Sequence, residues 1–146
     1  MSKVMVLRNK ALQEFIEARR GLPFIWGKND CCLFAADAIL LQTNIDTASS
    51  YRGKYSTSLG AKRAIKKRKA NNLDELLMIE LGNDIAPLTA INGDIALILN
   101  QDNELAAGVI YRSYIYVLSP RGLSQIPLKA AIKCWSVKAI STKENS

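Results

Sequence analysis

The sequence contains no histidine. That absence removes the commonest general base of enzyme sites and the commonest nitrogen ligand of zinc. Cysteine is also scarce, with three in 146 residues: the adjacent Cys31 and Cys32, and the isolated Cys134. An odd count without C-x-x-C spacing argues against a disulfide framework and against two thiolates sharing a tetrahedral metal. A metal site drawing on all three thiols plus Asp30 is an alternative. Packing as small apolar residues is the simpler use for at least two of them. No metal and no cofactor are expected.

Long hydrophobic runs are missing as well. The longest apolar stretch, Ala35–Leu41, is broken by Asp37 and falls far short of the ~20 residues a membrane span requires. Met1–Lys10 carries Lys3, Arg8 and Lys10 but no apolar core with a small-residue cleavage site. A secretory signal is therefore not expected, and the thiols point to a reducing compartment.

What remains is the composition of one ordinary globular domain, 49% hydrophobic and 23% charged. We expect it to cover residues 1–141, with a frayed polar tail over 142–146. The formal charge is +7, which suits an acidic protein partner, an anionic surface or nucleic acid. The excess concentrates in Lys62, Arg63, Lys66, Lys67, Arg68 and Lys69. Ala61, Ala64 and Ile65 recur among them at helical spacing, giving a narrow apolar stripe and a basic interaction surface. No aromatic residue interleaves, as a stacking groove for single-stranded nucleic acid would require. Nucleic-acid binding is accordingly a third-ranked expectation.

Periodicity divides the chain into a helical first half and a strand-rich second half. Helices are predicted over Val6–Arg20, Cys31–Leu41, Ser58–Ala70 and Leu73–Leu81. Phe24-Ile25-Trp26 reads as a short extended piece, and Asn44–Ser58 as loop. Strands are predicted over Asp94–Leu99, Leu105–Tyr111, Tyr114–Leu118 and Lys133–Ile140. Helices followed by an antiparallel meander make an α+β fold.

The chemistry concentrates in Trp26–Phe34. Asn29 or Asp30 is placed to cap a helix beginning at about Cys31, and Asp30 reads as a cap rather than as an acid catalyst. A cysteine there meets unpaired backbone N–H groups and the positive end of the helix dipole, both of which favour thiolate. Cys32 follows it into the helix. Trp26 is expected as a core plug beneath that helix. Asp37 falls mid-helix in an apolar run and needs a buried donor, for which Arg52 is the choice. Arg52-Gly53-Lys54-Tyr55 would then be a loop clamped onto the helix. Tyr111, Tyr114 and Tyr116 read either as half-buried sheet packing or as an exposed aromatic contact surface.

The run from Trp26 to Phe34, with Gly93-Asp94 later, resembles the NlpC-like cysteine peptidases of papain fold. More closely, Pro23–Gly27, Asp30–Asp37, Arg52–Tyr55 and Gly60-Ala61 resemble a family of small phage and prophage proteins of unassigned activity. The resemblance implies a cysteine helix packed on a small antiparallel sheet, and a gene among those of the tail tip. In such peptidases a histidine opens the second strand, and the matching position here is Ala106. Cys31 is then a vestigial nucleophile, and no catalytic residue is expected. Lys129, Lys133 and Asp94 remain as substitute bases that no spacing singles out.

The leading expectation is a non-enzymatic assembly component of a bacteriophage tail tip or baseplate. It would be made in the host cytoplasm, carried in the virion tail, and partnered by other tail proteins. The alternative is a cell-wall-degrading cysteine peptidase or amidase with an unusual base.

Overall fold

Helices form where a polar cap precedes an apolar run. In the computed structural model, residues 2–144 are described, the side chains of 141–144 excepted. Helix α1 (Lys3–Arg19) starts at Ser2, whose hydroxyl accepts the Met5 N–H, three residues earlier than periodicity alone predicts. Helix α2 (Cys31–Thr43) begins at Asp30, whose Oδ1 accepts the Leu33 N–H at 2.9 Å. It stops at Asn44, which takes the left-handed conformation with φ 62°. Helix α3 (Ser58–Lys67) is capped by Thr57, and helix α4 (Leu73–Leu81) by Asn72. Side-chain capping by such residues stabilises a helix by about 1 kcal/mol.

The sheet comprises β1 (Ile95–Leu99), β2 (Leu105–Tyr111), β3 (Tyr114–Ser119), β4 (Gly122–Pro127) and β5 (Lys133–Trp135) in the order β4-β3-β2-β1-β5. Every pairing is antiparallel. The first four strands form a meander, and β5 returns to the open edge of β1, setting Trp135 opposite Ile95. Alternation sends Leu97, Val109, Tyr116 and Leu118 to the helical face, in one cluster with Leu33, Phe34 and Ile39 of α2. The opposite face carries Ala96, Ile98, Ala106, Ile110, Ile115, Val117 and Cys134. Ile85, Ala90, Leu128 and Ala131 pack on this second cluster. Both faces are therefore apolar, which explains why the central strands read as nearly unbroken hydrophobic runs. The chain is an α+β protein.

Helix α2 is buried on several sides, through Leu33, Phe34, Ala35, Ala36, Ala38 and Ile39. It lies against the sheet, with Phe15 of α1 stacked on Phe34 at 5.3 Å. Such burial follows from a helix that is apolar nearly all round.

Two sequence expectations are corrected. Strand β4 was not predicted because Gly-Leu-Ser-Gln-Ile-Pro is an edge strand, largely exposed and weakly patterned. The strand expected over Lys133–Ile140 ends at Trp135, and helix α5 (Val137–Glu144) follows. The buried Asp94 Oδ1 accepts the Val137 N–H at 3.0 Å, satisfying an amide at the helix start that a strand would have paired elsewhere. Helix α5 takes in Thr142–Glu144 of the expected tail; Asn145 and Ser146 lie outside the described residues. No helix among the described residues is long and apolar enough to cross a membrane.

Candidate functional site

The loop before α2 is built around one carboxylate. Asp30 is 1% exposed and accepts hydrogen bonds from the Leu33 N–H, the Gly27 N–H and the Tyr55 hydroxyl. Three donors and the helix N-terminus compensate a charge that burial alone would penalise. Gly27 has φ +83°, and a Cβ there would lie 1.9 Å from the Tyr55 carbonyl oxygen. Only glycine permits both that conformation and that approach. Gly27 in turn accepts from the Gly53 N–H at 2.9 Å.

Asp37 closes the second clamp. Its Oδ1 meets Arg52 Nη1 at 2.7 Å, as the sequence reading expects, and its Oδ2 meets Arg19 Nη2 at 2.9 Å. Arg52 is also held by Asp46, with Nη2 to Oδ1 at 2.9 Å and Nε to Oδ2 at 3.1 Å. Arg19 also donates to the Asn29 side chain and lies over the Phe15 ring at 4.7 Å. The Arg52–Tyr55 loop is thus fastened to α2 at both its first turn and its middle. Arg19 and Asp46 were not legible from sequence, since nothing local ties either to Asp37.

These clamps shape a cleft of about 720 Å³. Its walls come from the pre-α2 loop and the first turn of α2, from α3 and α4, and from the Asn100–Ala106 and Val117–Pro120 segments of the sheet. Cys31 and Ala106, seventy-five positions apart in sequence, both line it. Cys31 also packs on the sheet cluster that contains Ala106, and its sulfur receives the Ala107 amide. Ala106 is 3% exposed.

Burial pushes the Cys31 thiol up to about 11, with the neighbouring Asp30 charge adding to it and the Ala107 amide opposing it. Thiolate activation at the helix start is therefore overcome, because desolvation disfavours the charged form more than the backbone N–H groups favour it. Cys32 is also half-buried and its thiol is raised further, again by burial first. Cys134 belongs to the same sheet cluster as Ala106 but does not line the cleft, and burial raises its thiol to about 11.

Trp26 is corrected from core plug to cleft wall. It is half-buried, lines the cleft, and meets Phe24 edge-on at 4.8 Å. The tryptophan that does fill the core is Trp135, fully buried, with Nε1 donating to the Gly82 carbonyl at 3.0 Å. The three substitute bases are not brought to Cys31. Asp94 serves the Ile91 and Val137 amides, Lys133 pairs with Asp74 at 3.0 Å, and Lys129 is exposed elsewhere. None lines the cleft. Tyr111 and Tyr116 are buried in the core while Tyr114 is exposed, so the three do not form one aromatic surface.

The basic cluster divides. Lys62, Arg63 and Lys66 line the cleft from α3, and Lys67 and Lys69 do not. Arg68 turns inward, donating to the Ser50 hydroxyl at 2.7 Å and facing Glu80.

Sequence reasoning missed a polar group beneath the cleft. The Tyr51 hydroxyl lies 3.5 Å from Glu80 Oε2 and also reaches Cys32. Glu80 Oε1 is buried without a hydrogen-bond partner. Burial pushes the Glu80 carboxyl up to about 7, opposed by Arg68 and the Tyr51 hydroxyl. The signal was present: Leu73, Leu76 and Leu77 define the buried face of α4, and position 80 falls on it at helical spacing. Among the described residues, no group of three or more cysteines, aspartates or glutamates is placed to hold a metal ion.

A comparison with curated proteins gives no match. A family profile matches residues 6–137, which contain every element from α2 to β5, both clamps and the cleft. By that match the chain belongs to the family described as a domain of unknown function, DUF6950.

Proposed function

We propose that the protein is a non-enzymatic assembly component of a bacteriophage tail tip or baseplate, built on an NlpC-like, papain-type fold. The observation that carries this reading is that Cys31 and Ala106 line one cleft, where the carboxylate neighbouring the thiol, Asp30, is already engaged by the Gly27 and Leu33 amides and the Tyr55 hydroxyl. In the peptidases that the Trp26–Phe34 motif resembles, a cysteine at this helix start works with a histidine on the second strand. Here the strand offers a methyl group, and burial holds the thiol up at about 11. Loss of general acid–base help alone removes about 10²–10⁴-fold of rate. A cleft that keeps its shape without its base is suited to holding a partner.

Deleting the gene in a lysogen and viewing the induced particles by negative-stain microscopy tests the proposal. Missing or aberrant tail tips are expected; normal, infectious particles overturn it. Purified protein incubated with peptidoglycan, beside a Cys31→Ala control, tests the enzymatic alternative. Cys31-dependent release of muropeptides would replace the assembly reading with a peptidase.

A further inference from the structure

The α3 wall of the cleft combines two features that together call for a particular occupant. Leu59, Lys62, Arg63 and Lys66 stand at i, i+3, i+4 and i+7, on one side of the helix. All four line the cleft. Leu59 is 57% exposed although it is a large apolar residue facing a concave surface. The cleft floor beside it is apolar, with Phe24, Trp26 and Ile65. Against this floor stand three cations without a counter-ion. Among the described residues, Lys62, Arg63 and Lys66 take part in no ion pair, whereas Arg19, Arg52 and Lys133 each have an aspartate. The carboxylates that line the cleft are Asp30, already engaged by three donors, and Asp102 and Glu104, of which Asp102 faces Arg121 at 4.0 Å. The α3 side of the cleft therefore presents three cations that no ion pair among the described residues neutralises, beside an apolar floor.

We infer that this wall docks an acidic segment of a partner polypeptide, with a large apolar side chain set against Leu59 and Trp26 and flanking carboxylates against Lys62, Arg63 and Lys66. Charge complementarity selects the carboxylates, and apolar contact supplies most of the affinity. No bond is made or broken, and neither Cys31 nor Ala106 takes part. The inference rests on the assembly reading for its partner class, a neighbouring tail protein.

The experiment uses the full chain and a fluorescein-labelled peptide, Asp-Glu-Trp-Leu-Glu-Asp, read by fluorescence anisotropy at moderate salt. Saturable binding is expected, at least about tenfold tighter than for the lysine analogue Lys-Lys-Trp-Leu-Lys-Lys. Lys62→Glu with Lys66→Glu should weaken it by about tenfold or more, both side chains being exposed and their replacement compatible with the fold. Lys10→Glu with Lys54→Glu makes the same change in net charge at exposed positions outside the cleft, and should leave affinity within about twofold. Absence of saturable binding, equal binding of the basic peptide, or equal loss in the Lys10/Lys54 variant overturns the inference. So does displacement of the peptide by a single-stranded DNA of matching charge that binds more tightly. Failure here with tail tips still lost on deletion sinks the docking site alone. Peptide binding with normal particles sinks the assembly reading alone.

Discussion

The Tyr55 hydroxyl donates a 2.5 Å hydrogen bond to Asp30 Oδ2 across 25 positions of sequence. Through it a loop between two helices is tied to the cap of the helix that starts with Cys31. Asp30 at once caps α2, holds the Gly27 turn and anchors Tyr55, so the cleft wall depends on one carboxylate.

Replacing that carboxylate should therefore cost more than an ordinary cap. Asp30→Ala leaves the Gly27 amide, the Leu33 amide and the Tyr55 hydroxyl unpaired. A loss of about 3–5 kcal/mol is expected by denaturant unfolding, against about 1 kcal/mol for Tyr55→Phe, which removes one donor only. Equal effects of the two substitutions would show that Asp30 acts solely through Tyr55.

Asp37→Ala should destabilise moderately. Removing Asp37 leaves Arg52 with both its contacts to Asp46, and Arg19 with Asn29 and the Phe15 ring. Neither guanidinium becomes an isolated buried charge, so about 1–3 kcal/mol is expected rather than the larger penalty of an orphaned ion. The double variant Asp37→Ala with Asp46→Ala strips Arg52 of both partners and should exceed the sum of the singles in thermal melts.

Cys31 should alkylate slowly. A rise from 9.0 to about 11 lowers the thiolate fraction at neutral pH by about a hundredfold. Iodoacetamide labelling of the native protein, located by mass spectrometry, should be slower by that order than labelling after denaturation. Rapid stoichiometric labelling at neutral pH would mean an activated thiol. Cys31→Ala should keep the fold and cost only about 1 kcal/mol for the void.

Glu80 should make stability fall as pH rises. Its carboxyl is raised from the ordinary 4.5 to about 7 in the fold, so the native state binds the proton more tightly than the unfolded chain. The associated stability is fully present below about pH 4.5 and is lost as pH climbs through about 7, amounting to something on the order of 1–3 kcal/mol. Tyr51, Cys32, Arg68 and Asp46 face the group. Glu80→Gln mimics the protonated form. It should match wild type at pH 5, exceed it at pH 8, and flatten the difference in melting temperature between them. Parallel pH profiles for the two proteins would exclude Glu80 as the titrating group.

Local chemistry determined much of this molecule before any fold was in view. Leu73–Leu81 is a helix and Leu105–Tyr111 a strand at the boundaries that periodicity predicts, because both lie on strongly patterned apolar faces. The Asp30 cap and the Asp37–Arg52 pair were legible for a related reason: a charge at a helix start or inside an apolar run has few physical solutions. The missing histidine needed no structure at all. Tertiary packing decided the rest. Whether Val137–Ile140 became strand or helix turned on a distant carboxylate, Asp94, satisfying the Val137 amide. Which tryptophan filled the core was decided by packing: Trp135 pairs into the sheet opposite Ile95 and is fully buried, whereas Trp26 lines the cleft. The direction in which the Cys31 thiol is shifted was decided the same way. Its place at a helix start favours thiolate, but the sheet that covers it withdraws water, and desolvation outweighs the helix start in a site with no cation beside the sulfur.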